Sequence, residues 1–139
     1  MAIVDREQPN SVSPDRARVL AADDHGPFLA ALRETLSATR YLEEVGAASS
    51  GEAAVELAHS LEPDIVLIDV RMPGLGGIAA AKQIKTRHPS MLVMLISTTH
   101  PRELPAALAD SGADAVIWKR ELDSEGLDDL WLRHTRPDR

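Results

Sequence analysis

Cysteine is absent from the 139 residues, which excludes disulfide scaffolds, thiolate metal sites and thiol nucleophiles together. Aromatic residues are scarce, with one Phe, one Tyr and two Trp, so the core must be aliphatic. No apolar run approaches the ~20 residues of a membrane span, and the charged stretch Met1 to Gln8 has no secretory apolar segment. A cytoplasmic location is expected. Basic residues are outnumbered, 15 Lys+Arg against 22 Asp+Glu for a formal net charge of −7, which argues against nucleic acid or an anionic membrane as a partner of this segment. What is there is a 44% apolar, 27% charged composition, close to that of one ordinary folded domain.

Residues 1–16 mix Asp, Glu, Gln, Asn, Ser and Pro without apolar periodicity and are expected to be a disordered leader; 17–135 form the domain, and 136–139 a tail. Within the domain, short apolar runs alternate with stretches of helical period. Val19–Ala22, Leu42–Ala47, Ile65–Ile68, Leu92–Ile96 and Ala115–Trp118 read as five buried strands. Pro27–Ser37, Glu52–Leu61, Ile78–Arg87, Glu103–Asp110 and Leu122–Arg133 read as five amphipathic helices, with Leu29, Leu32 and Leu36 of the first on one face and Arg33 towards solvent. Ser49 and Glu52 match a capping box, Pro27 suits an early helical position, and Gly112 suits a left-handed stop. Strict alternation predicts an α/β fold: a doubly wound five-stranded parallel sheet covered on both faces, with its site outside the carboxyl ends of the strands.

The residues at those ends carry the chemistry. The first strand runs into Asp23-Asp24 and the third into Asp69, so three carboxylates converge on one rim, where a divalent cation would offset their repulsion. Oxygen ligands without His or Cys favour Mg²⁺. The fourth strand ends at Ser97 and the fifth at Lys119, adding a hydroxyl and a cation that can hold phosphoryl oxygens while a carboxylate attacks phosphorus. Asp69, alone at its strand end, is the nucleophile candidate. Any one of these Asp residues taken singly reads more simply as a loop cap; four matching strand ends together reverse that balance.

The segments Ala22-Asp23-Asp24-His25, Ile68-Asp69-Val70-Arg71-Met72-Pro73-Gly74 with Gly77, Leu95-Ile96-Ser97-Thr98, Gly112-Ala113 and Trp118-Lys119 resemble the receiver domains of bacterial two-component response regulators. The likeness spans Arg18 to Arg133 and is nearest to receivers attached to helix-turn-helix DNA-binding regulators. It implies a flavodoxin-like fold of strand order 2-1-3-4-5, and a switch in which Asp69 takes a phosphoryl group from a sensor histidine kinase or phosphotransfer protein. It further implies direct Mg²⁺ binding by Asp24, binding by Asp23 largely through water, and a further ligand in the backbone carbonyl of Arg71. Ser97 and Lys119 would hold the phosphoryl oxygens. The family's response surface, made by the fourth helix, the fifth strand and the fifth helix, would serve as a partner or homodimer face. Such a domain turns over its own phosphoryl group and is otherwise no enzyme.

The sequence departs from the family at three places. Val116 stands where an aromatic ring usually swings with the hydroxyl, leaving Trp118, two residues on and on the same strand face, as the candidate switch aromatic or a simple gap filler. Arg120 replaces a proline whose peptide bond is often cis, so a trans bond or local strain is expected. Gly76 loosens the loop after the acceptor, while Arg71 and Thr99 flank the site where water would attack. These departures sustain a second reading, an unphosphorylated docking module. Two others fit less well: a cobalamin module would need glycine where Phe28 stands, and a haloacid-dehalogenase-type hydrolase would need Asp where Arg71 stands. The five histidines show no metal spacing and read as surface or cap residues, and the acids of 121–129 read as a solvated face.

Overall fold

Runs of Val, Ile and Leu too short for helices can be buried on both sides only in the middle of a layered sheet, and the computed structural model, which describes residues 16–104 and 106–135, has that arrangement. Strands β1 (Ala17–Ala22), β2 (Leu42–Ala48), β3 (Ile65–Asp69), β4 (Leu92–Ser97) and β5 (Ala115–Trp118) form one parallel sheet in the order β2-β1-β3-β4-β5. The expected disordered leader, apart from Arg16, and the tail 136–139 lie outside the described residues.

Alternation along the strands splits the core into two layers. Leu20, Ala22, Val66, Ile68, Val93 and Leu95 face helices α2 (Gly51–Leu61) and α3 (Gly77–Arg87), where Ala54, Ala58, Ala80 and Ala81 let the helices approach closely. Val19, Ala21, Leu67, Met94 and Ile96 face Leu32 and Leu36 of α1 (Gly26–Ser37) and Leu127 of α4 (Ser124–Thr135). As the periodicity predicts, Leu32 and Leu36 are buried and Arg33 is exposed, and Pro27 sits in the first turn of α1.

Four α-helices are present among the described residues, not five. The fourth expected helix, Glu103–Asp110, is replaced by two 3-10 turns, Pro101–Glu103 and Ala106–Ser111. Proline explains the break: Pro105 offers no N–H, and a residue before proline is driven out of the helical region, as Leu104 is with φ −84° and ψ 154°. Gly112, with φ +78°, ends the second turn as expected. The capping box also shifts. Ser50, not Ser49, caps α2 by accepting from the Ala53 N–H, and the Glu52 carboxylate leaves the cap to accept from the Leu75 N–H at 3.1 Å.

One group on the edge strand β2 carries a cost. The Oε1 atom of Glu44 is buried with no hydrogen-bond partner among the described residues, and the exposed Arg33 guanidinium reaches only to 3.6 Å. Burial therefore raises the Glu44 pKa more than Arg33 lowers it. A folded-state pKa above the unfolded one means that the native state binds the extra proton, so the penalty is full above the raised pKa and absent below the unfolded value. Glu44→Gln should thus raise the Tm at neutral pH, with the gain shrinking as the pH falls through that window. Thermal unfolding of both proteins across pH 4–8 checks it; a gain independent of pH would contradict it.

Candidate functional site

Register builds the site. Ala22 pairs with Ile68 across β1 and β3, so the next residues on each strand, Asp23 and Asp69, stand side by side at the carboxyl rim. Asp69 pairs with Ile96, and Ser97 with Trp118, which sets Ser97 and Lys119 on the same rim. The acidic oxygens of Asp23, Asp24 and Asp69 lie within 4.8 Å of one another. Asp23 is 1% exposed and Asp69 7%, whereas Asp24 faces solvent.

Lys119 reaches across β4 to join them. Its Nζ donates to Asp23 Oδ2 at 2.6 Å and lies 3.4 Å from Asp69 Oδ1. The other oxygen of Asp23 accepts from the His25 N–H at 2.8 Å, which fixes the carboxylate as the chain turns into α1. Burial raises the Asp69 pKa first and the neighbouring Asp23 charge second, against a lowering by Lys119. Three carboxylates against one ammonium leave a formal charge of −2 on oxygen-only donors at one partly open rim. That deficit and that donor set fit a hard divalent cation such as Mg²⁺.

Backbone contacts hold the end of β3 in place. A Cβ at Gly77 would fall 1.8 Å from the Asp69 carbonyl oxygen, so only glycine lets α3 begin against Asp69. The intervening loop turns at Gly74 and Gly76, with φ +73° and +81°, and is tied to α2 by Glu52.

The expected site residues are not all drawn together. Asp23, Asp24, Asp69 and Lys119 meet; Ser97 is on the rim and buried, but its Oγ accepts from the Thr99 N–H at 2.9 Å and stays within its own loop. The Arg71 side chain is exposed. Val116 packs into the α2/α3 layer of the core. Trp118 donates from Nε1 to the Thr98 carbonyl at 3.2 Å and meets the His100 ring edge-on at 4.8 Å. The Lys119–Arg120 bond is trans, and Arg120 continues into the 3-10 turn Lys119–Glu121.

Residues 19–130 match the family model described as the response regulator receiver domain. The chain belongs to the response-regulator receiver family. It is 35% identical over 102 residues to the response regulator GacA of Pseudomonas viridiflava, covering 73% of this chain and 48% of that one. Another relative, a protein-glutamate methylesterase/protein-glutamine glutaminase of Alkalilimnicola ehrlichii, is 38% identical over 113 residues, 80% of this chain and 29% of that one. Among solved structures, the signal receiver domain of a response regulator NarL from Mycobacterium tuberculosis superposes with a TM-score of 0.77 at 29% identity, covering 86% of this chain and 96% of that one. The receiver thus spans about half the length of GacA and under a third of the methylesterase/glutaminase.

Two contacts of this receiver escaped sequence reasoning. Asp128, read with its neighbours as part of a solvated acidic face, is 8% exposed and accepts from the Arg40 and Tyr41 N–H groups at 2.8 and 3.0 Å. Phe28 places its ring 4.0 Å from Lys119 Nζ. Neither contact has a local sequence signal, because each joins residues far apart in the chain.

Proposed function

We propose that this receiver is a phosphorylation-dependent signalling switch in which Asp69 accepts a phosphoryl group from a histidine kinase or phosphotransfer protein. The observation that carries the reading is the buried Asp69 carboxylate set beside two further acids and one ammonium at a single rim. Desolvation makes this carboxylate more basic, hence more nucleophilic towards phosphorus. Its oxygen forms the new O–P bond as the N–P bond of a phosphohistidine breaks, and the imidazole leaves with the electron pair and takes its proton from solvent. Lys119, already at 3.4 Å from Asp69, is the cation that meets the charge on the phosphoryl oxygens, and the Ser97 hydroxyl, whose oxygen accepts from the Thr99 N–H, keeps its own proton to donate once it turns towards them. Asp23, Asp24, Asp69 and the Arg71 carbonyl would hold Mg²⁺, whose charge would stabilise the equatorial oxygens. The phosphoryl group is later lost to water, so the domain acts once per signal. No helix among the described residues is long and apolar enough to cross a membrane.

The test is incubation with acetyl phosphate and Mg²⁺ followed by intact mass. One phosphoryl adduct is expected, lost on chelation and in Asp69→Asn; no adduct at saturating donor would favour the alternative, a pseudo-receiver used as a docking module, which Val116 in place of the usual ring supports.

Transmission is proposed through Trp118, because its indole is bonded to Thr98, the residue directly after Ser97. This would alter the surface formed by β5, α4 and the 3-10 turn Ala106–Ser111, a candidate homodimer or output face. In a Trp131→Phe background, the remaining Trp118 emission should change when beryllofluoride and Mg²⁺ are added. An unchanged spectrum in a protein that carries the Asp69 adduct would contradict the coupling.

A further inference from the structure

An ammonium group has three N–H donors, and among the described residues two carboxylates lie within ion-pair reach of Lys119. One is bonded to Asp23 at 2.6 Å and the second lies towards Asp69 at 3.4 Å. The Phe28 ring centroid stands 4.0 Å from the same Nζ. An aromatic face carries negative quadrupole density, so it attracts a cation where an aliphatic side chain of equal bulk would only exclude water.

We infer that Phe28 is a positioning residue for the phosphoryl-handling lysine, holding the Lys119 ammonium against the Asp23–Asp69 pair. This rests on the reading of Asp69 as the phosphoryl acceptor. The placement of Phe28 follows from the chain around it. It lies in the first turn of α1, whose start is fixed by Pro27 and by the His25 N–H on Asp23. Its half-buried ring also packs on the core layer shared with Leu29 and Leu122, so its orientation is set from below. The Lys119 side chain, 14% exposed, spans from the edge strand β5 to β1 and has many rotamers to lose. A ring over its ammonium restricts that freedom and keeps water off a charge that must meet the phosphoryl oxygens.

Phe28→Leu removes the aromatic face and keeps apolar bulk, while Phe28→Tyr restores the face. In the unphosphorylated, Mg²⁺-free chain, the acylation rate of Lys119 relative to Lys82, followed by peptide mass, should rise in Phe28→Leu and return in Phe28→Tyr. The rate of Asp69 phosphorylation by acetyl phosphate should fall by roughly threefold to tenfold in Phe28→Leu, the range expected for loss of one partly desolvated cation–π contact, and recover in Phe28→Tyr. Wild-type Lys119 reactivity in Phe28→Leu, or failure of Tyr to restore it, overturns the inference. If the wild-type chain takes no phosphoryl group, the proposed function falls and the labelling result alone decides the role of Phe28.

Discussion

Lys119→Met should destabilise the fold by about 3–5 kcal/mol in the presence of a chelator, because it leaves two buried carboxylates facing each other without their cation. Asp23 has its other oxygen on the His25 N–H and cannot turn away, and Asp69 is already desolvated and repelled by Asp23. Domains of this size have only about 5–15 kcal/mol of total stability, so the loss should be visible as a large drop in the urea midpoint. Mg²⁺ should then restore more stability to Lys119→Met than to the wild type, since a ligand bound only by the native state stabilises in proportion to its affinity and no amine competes for Asp23 in the variant. Equal Mg²⁺ responses in the two proteins would contradict a shared carboxylate site.

Asp128→Ala should cost about 2–4 kcal/mol, because its buried carboxylate accepts two backbone N–H groups that no other group among the described residues takes up. These bonds fasten α4 to the turn between α1 and β2, across sequence separations of 88 and 87 residues. Asp128→Asn retains one acceptor oxygen and should lose roughly half as much. Because Asp128 does not contact the acidic rim, the folded fraction of either variant should still be phosphorylated at Asp69. Urea unfolding with an activity check on the folded protein distinguishes this from a role in the site; a change below ~0.5 kcal/mol would place Asp128 with the ordinary surface acids.

The features legible in the sequence are those with a period or a fixed offset from a strand end. Ile65–Ile68 reads as a buried strand from composition alone, one residue short of the observed β3, and strands that run out into Asp23, Asp69, Ser97 and Lys119 place these residues on one rim once the sheet is parallel. The missing helix was encoded too: Pro101 and Pro105, four residues apart, leave no room for a helical turn to propagate, although Leu104 and Leu108 keep helical spacing. Asp128 was hidden because charge density along α4 says nothing of which acid turns inward, a choice made by the backbone N–H groups of the distant Arg40–Tyr41 turn that it accepts from. Ser97 ends β4 at the rim, but its rotamer depends on the Thr99 N–H, which no strand-end rule reveals.

The measurement that bears most directly on the central claim is borohydride trapping after brief exposure to acetyl phosphate and Mg²⁺. Borohydride reduces an acyl phosphate to an alcohol, turning a phosphorylated aspartate into homoserine at its own position. Peptide mass should find homoserine at position 69 and nowhere else. Homoserine at position 23 or 24, or none at any position while the donor is in excess, would contradict the assignment of Asp69 as the acceptor.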